Sequence, residues 1–463
     1  MAQPSVLGEE IRLKLSRNSL DRIVIILTCT PNEHGFLGDI CSLDPMLLSH
    51  FDAILTFHEP LKYFAVTEPT DLILPQVETF VREIADTVAN PKKLRLLVFE
   101  RSLTLLSARL REEFSVPGPN VKEETLFNCR LAMKEALRQS NVGTPADISF
   151  EVPVEAEKID SFSVRIREKL GGFPVYLKAD CPYSVMQLPT TKAHNEGELF
   201  HYAAEANDHW QRSFGNDPNY YLIEQDFSSW KEFKLYAFVK DDNKATPLFG
   251  AYLPSKCKGR YDSVTTGKLW GEIVIDPVRF GKKFPGVIKI LERIVKTVKR
   301  SKGAVLGIRG YFHPKTRRCL VSRLEGSVSP KLLAHNNVGI SVESLVIGHA
   351  LTKGNIKVPK AVSSPRQEML LSLPKRRGLL RSHQFNLQPL HEAISGVICD
   401  VRWHVDEGAF VDSDARTPRH SETMLTMTLY SLDVDTLERD ADIVIEGFEA
   451  DFATESDRVE NGT

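Results

Sequence analysis

Three short apolar runs in the first hundred residues most constrain how this chain folds. They begin at Arg22 (R-I-V-I-I-L-T-C-T), Asp52 (D-A-I-L-T-F-H) and Leu94 (L-R-L-L-V-F-E), and each is flanked by polar or helix-forming stretches. Continuous apolar strands that alternate with helices are typical of a parallel sheet covered on both faces. We therefore expect an α/β domain. The first run leads into T-P-N-E-H-G-F and not into G-x-G-x-x-G, which disfavours dinucleotide binding.

Charge and cysteine content exclude several classes of protein. The formal net charge is −2, so no overall field attracts nucleic acid or a membrane surface. The seven cysteines are scattered, which disfavours a disulfide framework or a zinc site and favours a reducing compartment. The N-terminus lacks a signal-peptide pattern, and the apolar run from Ile23 to Leu27 is too short to cross a bilayer. We expect a cytoplasmic protein that binds neither nucleic acid nor membranes.

A turn at Val116 to Asn120 (V-P-G-P-N) marks the first domain boundary. After it, the sequence predicts one helix that runs from K-E-E-T to R-Q-S and ends before Gly143. Strands are predicted in F-P-V-Y-L-K, in N-Y-Y-L-I-E-Q and in K-E-F-K-L-Y-A-F-V-K. An amphipathic helix over Pro285 to Lys302 then precedes a hairpin that ends at Glu325.

Arg130 is the first candidate for a contact with an anion. It falls in the same helical stripe as Leu126, Met133 and Leu137. An unpaired buried charge is costly, so this guanidinium must reach an anion or pair with a carboxylate. A structural salt bridge, or a position at the edge of the stripe, explains the pattern equally well.

Lys178 is the second candidate. Period-two alternation places it with Tyr176 on one face of its strand, opposite Val175 and Leu177. A lysine at the end of an apolar strand is well placed to neutralise a phosphate as a point charge. An ordinary solvated lysine would give the same pattern.

Three carboxylates complete the candidates. Glu224 ends an apolar strand, where ligands often bind in sheets of this kind, and Glu232 follows it closely; a surface turn is the alternative. Glu325 shares a strand face with Val321 and Arg323. A lone carboxylate among arginines is more typical of a salt-bridge cluster than of a magnesium site, which prefers several oxygen ligands.

In this order, the turn, the inward cation, F-P-V-Y-L-K, the strand that ends in glutamate and the hairpin that ends in a carboxylate resemble the ATP-grasp superfamily. The most similar subgroup is the carboxylate–amine ligases related to biotin carboxylase, including bacterial L-amino acid ligases and carnosine synthase. The resemblance implies an α/β protein with a pre-ATP-grasp parallel-sheet domain (1–118), an ATP-grasp domain of two α+β lobes (119–355) and a small β-rich C-terminal domain (356–449). A disordered acidic tail (450–463) would follow.

The resemblance also implies an ATP site. Lys178 matches the strand lysine that contacts the phosphates and the adenine. Glu224 matches the hinge acid, and the backbone of Gln225 and Asp226 would meet the base. Glu232 matches the acid that holds the ribose hydroxyls, although the family's preceding glycine is absent.

The phosphate and metal layer departs from the family. Arg130 stands where the family has its first phosphate-binding lysine. Glu325 matches the first acid of the E-x-N metal motif, but Ser327 replaces the asparagine and Ser329 the following arginine. The preceding strand offers Arg309, a candidate phosphate contact, in place of the other metal acid.

Two functions remain open. The first is an ATP-dependent ligase that activates a small carboxylate as an acyl phosphate for attack by an amine. The second is a catalytically silent homologue that binds a nucleotide or metabolite and acts through protein contacts. The phosphate lid reads D-C-P-Y-S-V-M-Q-L-P-T-T, without glycine, so its amides approach phosphate less readily. ATP is the expected cofactor, magnesium is expected only if the altered ligand set holds it, and a homodimer is a candidate assembly.

Overall fold

The computed structural model describes most of the 463 residues, namely 13, 16, 23–28, 53–58, 73–88, 90–98, 101–152, 156–180, 191–214, 219–241, 244–257, 263, 267–326, 342–352, 367–375, 378–411 and 423–453. Every statement below refers to these residues. None of the described helices is long and apolar enough to cross a membrane.

The first part of the chain forms a small parallel sheet. Strand β1 (Ile23–Thr28) lies between β2 (Ala53–His58) and β3 (Leu94–Val98) and is parallel to both. Helices α1 (Ile73–Thr87) and α2 (Arg101–Glu113) pack on this sheet around a separate hydrophobic core. The parallel sheet predicted from the three apolar runs is confirmed.

The next part builds an antiparallel sheet of four strands in the order β4-β7-β5-β6. Its own core lies under two helices and contains Phe150, Phe162 and Tyr221. The elements in chain order are α3 (Val121–Asn128), α4 (Arg130–Gln139), β4 (Asp147–Val152), α5 (Ala156–Leu170), β5 (Val175–Asp180), β6 (Thr191–Ala193), α6 (Glu196–Phe214) and β7 (Asn219–Gln225).

The single helix predicted after the turn at 116–120 is wrong, because two helices are present. Cys129 separates α3 from α4 with an extended backbone, φ −91° and ψ 118°. The carboxylate of Asp180 accepts hydrogen bonds from the backbone N–H groups of Arg130 and Leu131, the first residues of α4. A carboxylate at a helix N-terminus satisfies orphan donors and complements the helix dipole. The break therefore fixes the start of α4 against the end of β5.

An eight-stranded antiparallel sheet dominates the rest of the molecule, in the order β12-β11-β8-β9-β10-β13-β17-β15. The main hydrophobic core covers one face. The elements in chain order are β8 (Lys231–Asp241), β9 (Lys244–Tyr252), β10 (Trp270–Ile275), α7 (Pro277–Lys283), α8 (Val287–Thr297), β11 (Val305–His313), β12 (Arg318–Glu325), α9 (Val342–Thr352), β13 (Gln367–Pro374), β14 (Gly378–Phe385), α10 (Leu387–Ala393), β15 (Val397–Trp403), β16 (Phe410–Val411), β17 (Thr423–Ser431), α11 (Val434–Gly447) and β18 (Ala450–Ala453).

The eight-stranded sheet runs through the boundary predicted at 355/356. Strand β10 pairs with β13 from Trp270 to Ile273, and the main core contains residues from both sides of that boundary, including Leu291 and Leu437. Ala450–Ala453, which is predicted from the sequence to begin a disordered tail, is a strand paired with β14. Residues 454–463 lie outside the described residues.

Candidate functional site

Lys178 and Glu224 form a buried ion pair where β5 and β7 lie side by side. The ammonium group of Lys178 donates to Oε2 of Glu224, and only 8% of Lys178 and 1% of Glu224 are exposed. The alternation predicted for β5 is confirmed, since Val175 and Leu177 are buried in the core of the four-stranded sheet. Two residues nominated separately from the sequence are therefore direct partners.

A second lysine, Lys134 on α4, reaches the same carboxylate. Its Nζ lies 2.7 Å from Oε1 of Glu224 and 3.0 Å from Oδ1 of Asp147, and it donates to the carbonyl of Pro145. Burial alone would raise the pKa of Glu224, but the positive charges of Lys178 and Lys134 outweigh it and lower the pKa to about 2. Glu224 is therefore ionised at every physiological pH.

Arg130 lies beside this pair at the start of α4. Burial lowers its pKa, which the nearby carboxylates of Glu224 and Asp180 counteract, whereas the charge of Arg309 adds to the lowering. These interactions show that Arg130 lies close to Glu224 and Asp180. Arg130 and Lys134 are four residues apart and so lie on one face of α4.

Glu232 and Arg309 bring in the eight-stranded sheet. Arg309 on β11 forms an ion pair with Glu232, at the second position of β8. Burial would lower the pKa of Arg309, but the charges of Glu232 and Glu325 raise it overall. Tyr311, two residues further along β11, interacts electrostatically with both Glu232 and Glu224. The two sheets therefore meet at these side chains, and we call this set the junction site: Arg130, Lys134, Lys178, Glu224, Glu232 and Arg309.

Glu325, at the end of β12, lies on the polar face of the eight-stranded sheet, next to the strand that carries Arg309. It accepts a hydrogen bond from the hydroxyl of the fully buried Tyr236. Burial would raise the pKa of Glu325, but the charges of Lys234, Arg323 and Arg309 lower it. Glu325 thus stays ionised among cations. We define the polar face by six residues: Lys234, Tyr236, Glu272, Arg309, Arg323 and Glu325.

Backbone details shape this polar face. A Cβ added to Gly307 would lie 2.7 Å from the ring of Tyr236, so this glycine lets the ring lie flat across β11 towards Glu325. The face predicted for β12 is wrong at Val321. The strand register shifts between Arg309 and Gly310, and Val321 consequently packs in the main core instead of beside Arg323.

Gln225 and Asp226 form the segment that is predicted to act as the hinge. The N–H of Gln225 donates to the carbonyl of Ala146 at 3.3 Å. Asp226 pairs with Lys192 on β6, 2.9 Å between Oδ2 and Nζ. That ion pair fixes the hinge segment to the edge of the four-stranded sheet.

The family resemblance implies magnesium, and the donor set here does not fit it. Among the described residues, no group of three or more His, Cys, Asp and Glu side chains is arranged to hold a metal ion. Glu325 is committed to the Tyr236 hydroxyl and surrounded by cations, while Arg309 occupies the strand that would supply another acid. Magnesium at a nucleotide takes one or two protein carboxylates beside the phosphate oxygens, and the cations around Glu325 compete with it for that carboxylate. Ser327, Ser329 and the lid at 181–190 lie outside the described residues.

Sequence reasoning missed Lys134 of the junction site, Asp180 at the start of α4, and Lys234 and Glu272 of the polar face. Lys134 carried a signal, because it follows Arg130 by one helical turn. Lys234 lies in K-E-F-K-L-Y, where period-two alternation puts it on the face opposite Phe233 and Leu235. Its ammonium lies 2.6 Å from Oε1 of Glu272. No local signal joins Lys234 to Glu272, since the pairing arises from the sheet.

No protein-family model and no curated protein sequence matches the chain. Solved structures are nonetheless similar over most of its length. They include L-amino acid ligase from Bacillus licheniformis, with a TM-score of 0.62 and 10% identity, covering 94% of this chain and 99% of that one. The biotin carboxylase domain of Hydrogenobacter thermophilus 2-oxoglutarate carboxylase, solved with MgADP, ADP and bicarbonate, has a TM-score of 0.56 and 11% identity, with coverages of 94% and 92%. N5-carboxyaminoimidazole ribonucleotide synthetase from Thermotoga maritima has a TM-score of 0.54 and 13% identity, covering 94% of this chain and 100% of that one. At such identities, the similarity shows a shared fold.

Proposed function

We propose that this chain, which has the ATP-grasp fold of the carboxylate–amine ligases, binds an adenine nucleotide at the junction site. One observation carries the proposal. Residues nominated from four separate segments, namely Arg130, Lys178, Glu224 and Glu232, lie together where the two sheets meet. Buried charged groups with shifted pKa values cluster at functional sites, which supports a shared ligand here.

The charges at the junction site suit such a ligand. Lys178 and Arg130 place positive charge where β5 ends and α4 begins, next to the hinge formed by Gln225 and Asp226. Cations on rigid elements attract phosphate. The N–H of Gln225 is already hydrogen-bonded to Ala146, so the other polar groups of the hinge backbone would meet the base. Glu232, on the neighbouring sheet, provides a carboxylate that can accept from ribose hydroxyls.

Isothermal titration of the full chain with ATP tests this proposal. We expect ATP to bind, and Lys178→Ala to weaken binding by about tenfold, which is about 1.4 kcal/mol. Lys169→Ala, an exposed lysine on α5, is the matched control and should leave affinity unchanged. Thermal melts of each variant separate loss of the site from loss of the fold. Absence of ATP binding, or equal effects of the two substitutions, would refute the proposal.

A second candidate function is carboxylate–amine ligation. It is favoured by the structural similarity to an L-amino acid ligase along 94% of this chain. It is disfavoured by the cations around Glu325, the residue that matches a metal ligand of the family. Release of ADP from ATP with panels of amino acids and other small carboxylates and amines tests it, with Glu232→Gln as a site-dependent control. Steady amine-dependent turnover would establish ligation. Nucleotide binding without turnover would support the catalytically silent alternative.

A further inference from the structure

Three cations stand in one row across the polar face of the eight-stranded sheet. Strand register places Arg323 of β12 directly opposite Arg309 of β11, and Arg309 directly opposite Lys234 of β8. Like charges directly opposite one another destabilise a sheet. Neighbouring strands lie about 4.8 Å apart, so the row extends over about 10 Å. Such an arrangement needs compensating anions.

Two of these cations have carboxylate partners. Arg309 pairs with Glu232, and Lys234 lies 2.6 Å and 3.0 Å from the two oxygens of Glu272. The remaining acid, Glu325, accepts the hydroxyl of Tyr236. Glu325 therefore balances charge in the row without giving Arg323 a hydrogen-bond partner.

Arg323 differs from the other two. Among the residues that the structure describes, it forms neither a hydrogen bond nor an ion pair, and its contact with Glu325 is electrostatic only. Burial lowers its pKa, so the charged form is held in an unfavourable environment. A guanidinium offers five N–H donors in a fork that matches phosphate oxygens bidentately. The donors of Arg323 that no described residue accepts from are therefore suited to an oxyanion.

We propose that Arg323 and Arg309 bind the terminal phosphates of the nucleotide directly, so that guanidinium groups replace the metal ion. This inference rests on the proposed function, because the row includes Arg309 of the junction site, which pairs with Glu232 and whose charge acts on Arg130. It also gives a physical reason for arginine on β11 where the family resemblance implies a metal acid. Nucleotide binding is then independent of magnesium.

The test uses the full chain, freed of metal with EDTA, in titrations with ATP, AMP and tripolyphosphate, and then with ATP plus magnesium. ATP should bind more tightly than AMP in EDTA, and magnesium should not strengthen its binding. Arg323→Gln should weaken ATP and tripolyphosphate binding at least about tenfold, in line with a hydrogen bond to a charged group, and leave AMP unchanged. Arg318→Gln is the matched control, an exposed arginine on the same strand.

Thermal melts separate a ligand-binding role from a structural one. Because Arg323 pairs with no described residue, Arg323→Gln should leave the melting temperature unchanged or raise it. A drop together with unchanged ATP affinity would mean that Arg323 is structural, which overturns the inference. Binding of ATP only with magnesium would also overturn it. If ATP and AMP bind but Arg323→Gln has no effect, nucleotide binding stands without the arginine site. If only tripolyphosphate binds, and Arg323 is needed, the anion site stands and nucleotide binding is wrong.

Discussion

Glu224 is the residue on which the junction site depends, because two lysines share its buried carboxylate. Its pKa is lowered from 4.5 to about 2, so the folded state releases this proton more readily than the unfolded state does. The contribution of the Glu224 carboxylate to the free energy of unfolding is therefore complete above about pH 4.5 and disappears as the pH falls towards 2. A shift of this size corresponds to about 3 kcal/mol.

The first prediction follows from that carboxylate. Glu224→Gln should flatten the acid limb of the stability curve, measured by urea unfolding between pH 2.5 and 6, because the substitution removes the titrating group. The wild-type protein should lose stability over the same interval. Glu168→Gln, an exposed acid on α5, should reproduce the wild-type curve. Identical curves for wild type and Glu224→Gln would show that other groups govern acid unfolding.

Lys134 gives a second prediction at the same scale. Lys134→Met removes one ammonium from Glu224 and Asp147, so both acids lose compensation in a buried place. Breaking a buried pair from one side typically costs about 3–5 kcal/mol. Arg138→Met is the matched control, since Arg138 also pairs with Asp147 at 2.7 Å but is half exposed. Chemical denaturation should show a loss several-fold larger for Lys134→Met. Equal losses of stability would contradict the claim that Lys134 compensates the buried carboxylates of Glu224 and Asp147.

At the scale of elements, the break between α3 and α4 connects helix geometry to ligand binding. Asp180→Ala removes the carboxylate that caps α4, which should cost about 1 kcal/mol and shift Arg130 from the junction site. ATP affinity should therefore fall together with stability. Asp433→Ala, which removes the cap of α11, should cost similar stability and leave ATP affinity intact. Titration and thermal melts of the two variants check this prediction.

The elements also mark what local pattern can and cannot foretell. The strands β1, β5, β7, β8 and β11 follow from period-two or continuous apolar runs, which side-chain burial enforces directly. The break at Cys129 does not, because its cause is Asp180, about fifty residues later and adjacent only in the fold. The bulge that sends Val321 into the core likewise depends on pairing with β11. Arg130, Lys178, Glu224 and Glu232 are candidates because of their order along the chain, and Lys134 is recognisable one helical turn after Arg130. Glu272 has no such signal, because its pairing with Lys234 arises from the sheet.

At the scale of the whole molecule, the core of the parallel sheet and the main core differ in how much of the chain they include, and this difference determines where the domains are separated. The core beneath the parallel sheet is confined to the first 116 residues. The main core instead joins Phe233 and Leu291 to Leu425 and Leu437, far beyond the boundary predicted at 355/356. A domain that folds independently is expected to have a hydrophobic core formed by its own residues. We therefore expect residues 119–355 to depend on the C-terminal strands.

A truncation series tests this dependence. The fragment 119–355 loses β13, the neighbour of β10, together with α11, which packs on the same core. Its exposed strand edge and apolar face should make it aggregate or unfold non-cooperatively. The fragment 119–463 keeps the eight-stranded sheet and the junction site, so it should melt in one transition and still bind ATP. Circular dichroism, limited proteolysis and ATP titration of both fragments provide the measurement. A cooperative fold in 119–355 would mean that the strands after residue 355 are dispensable and that the sheet is divided where the sequence predicted.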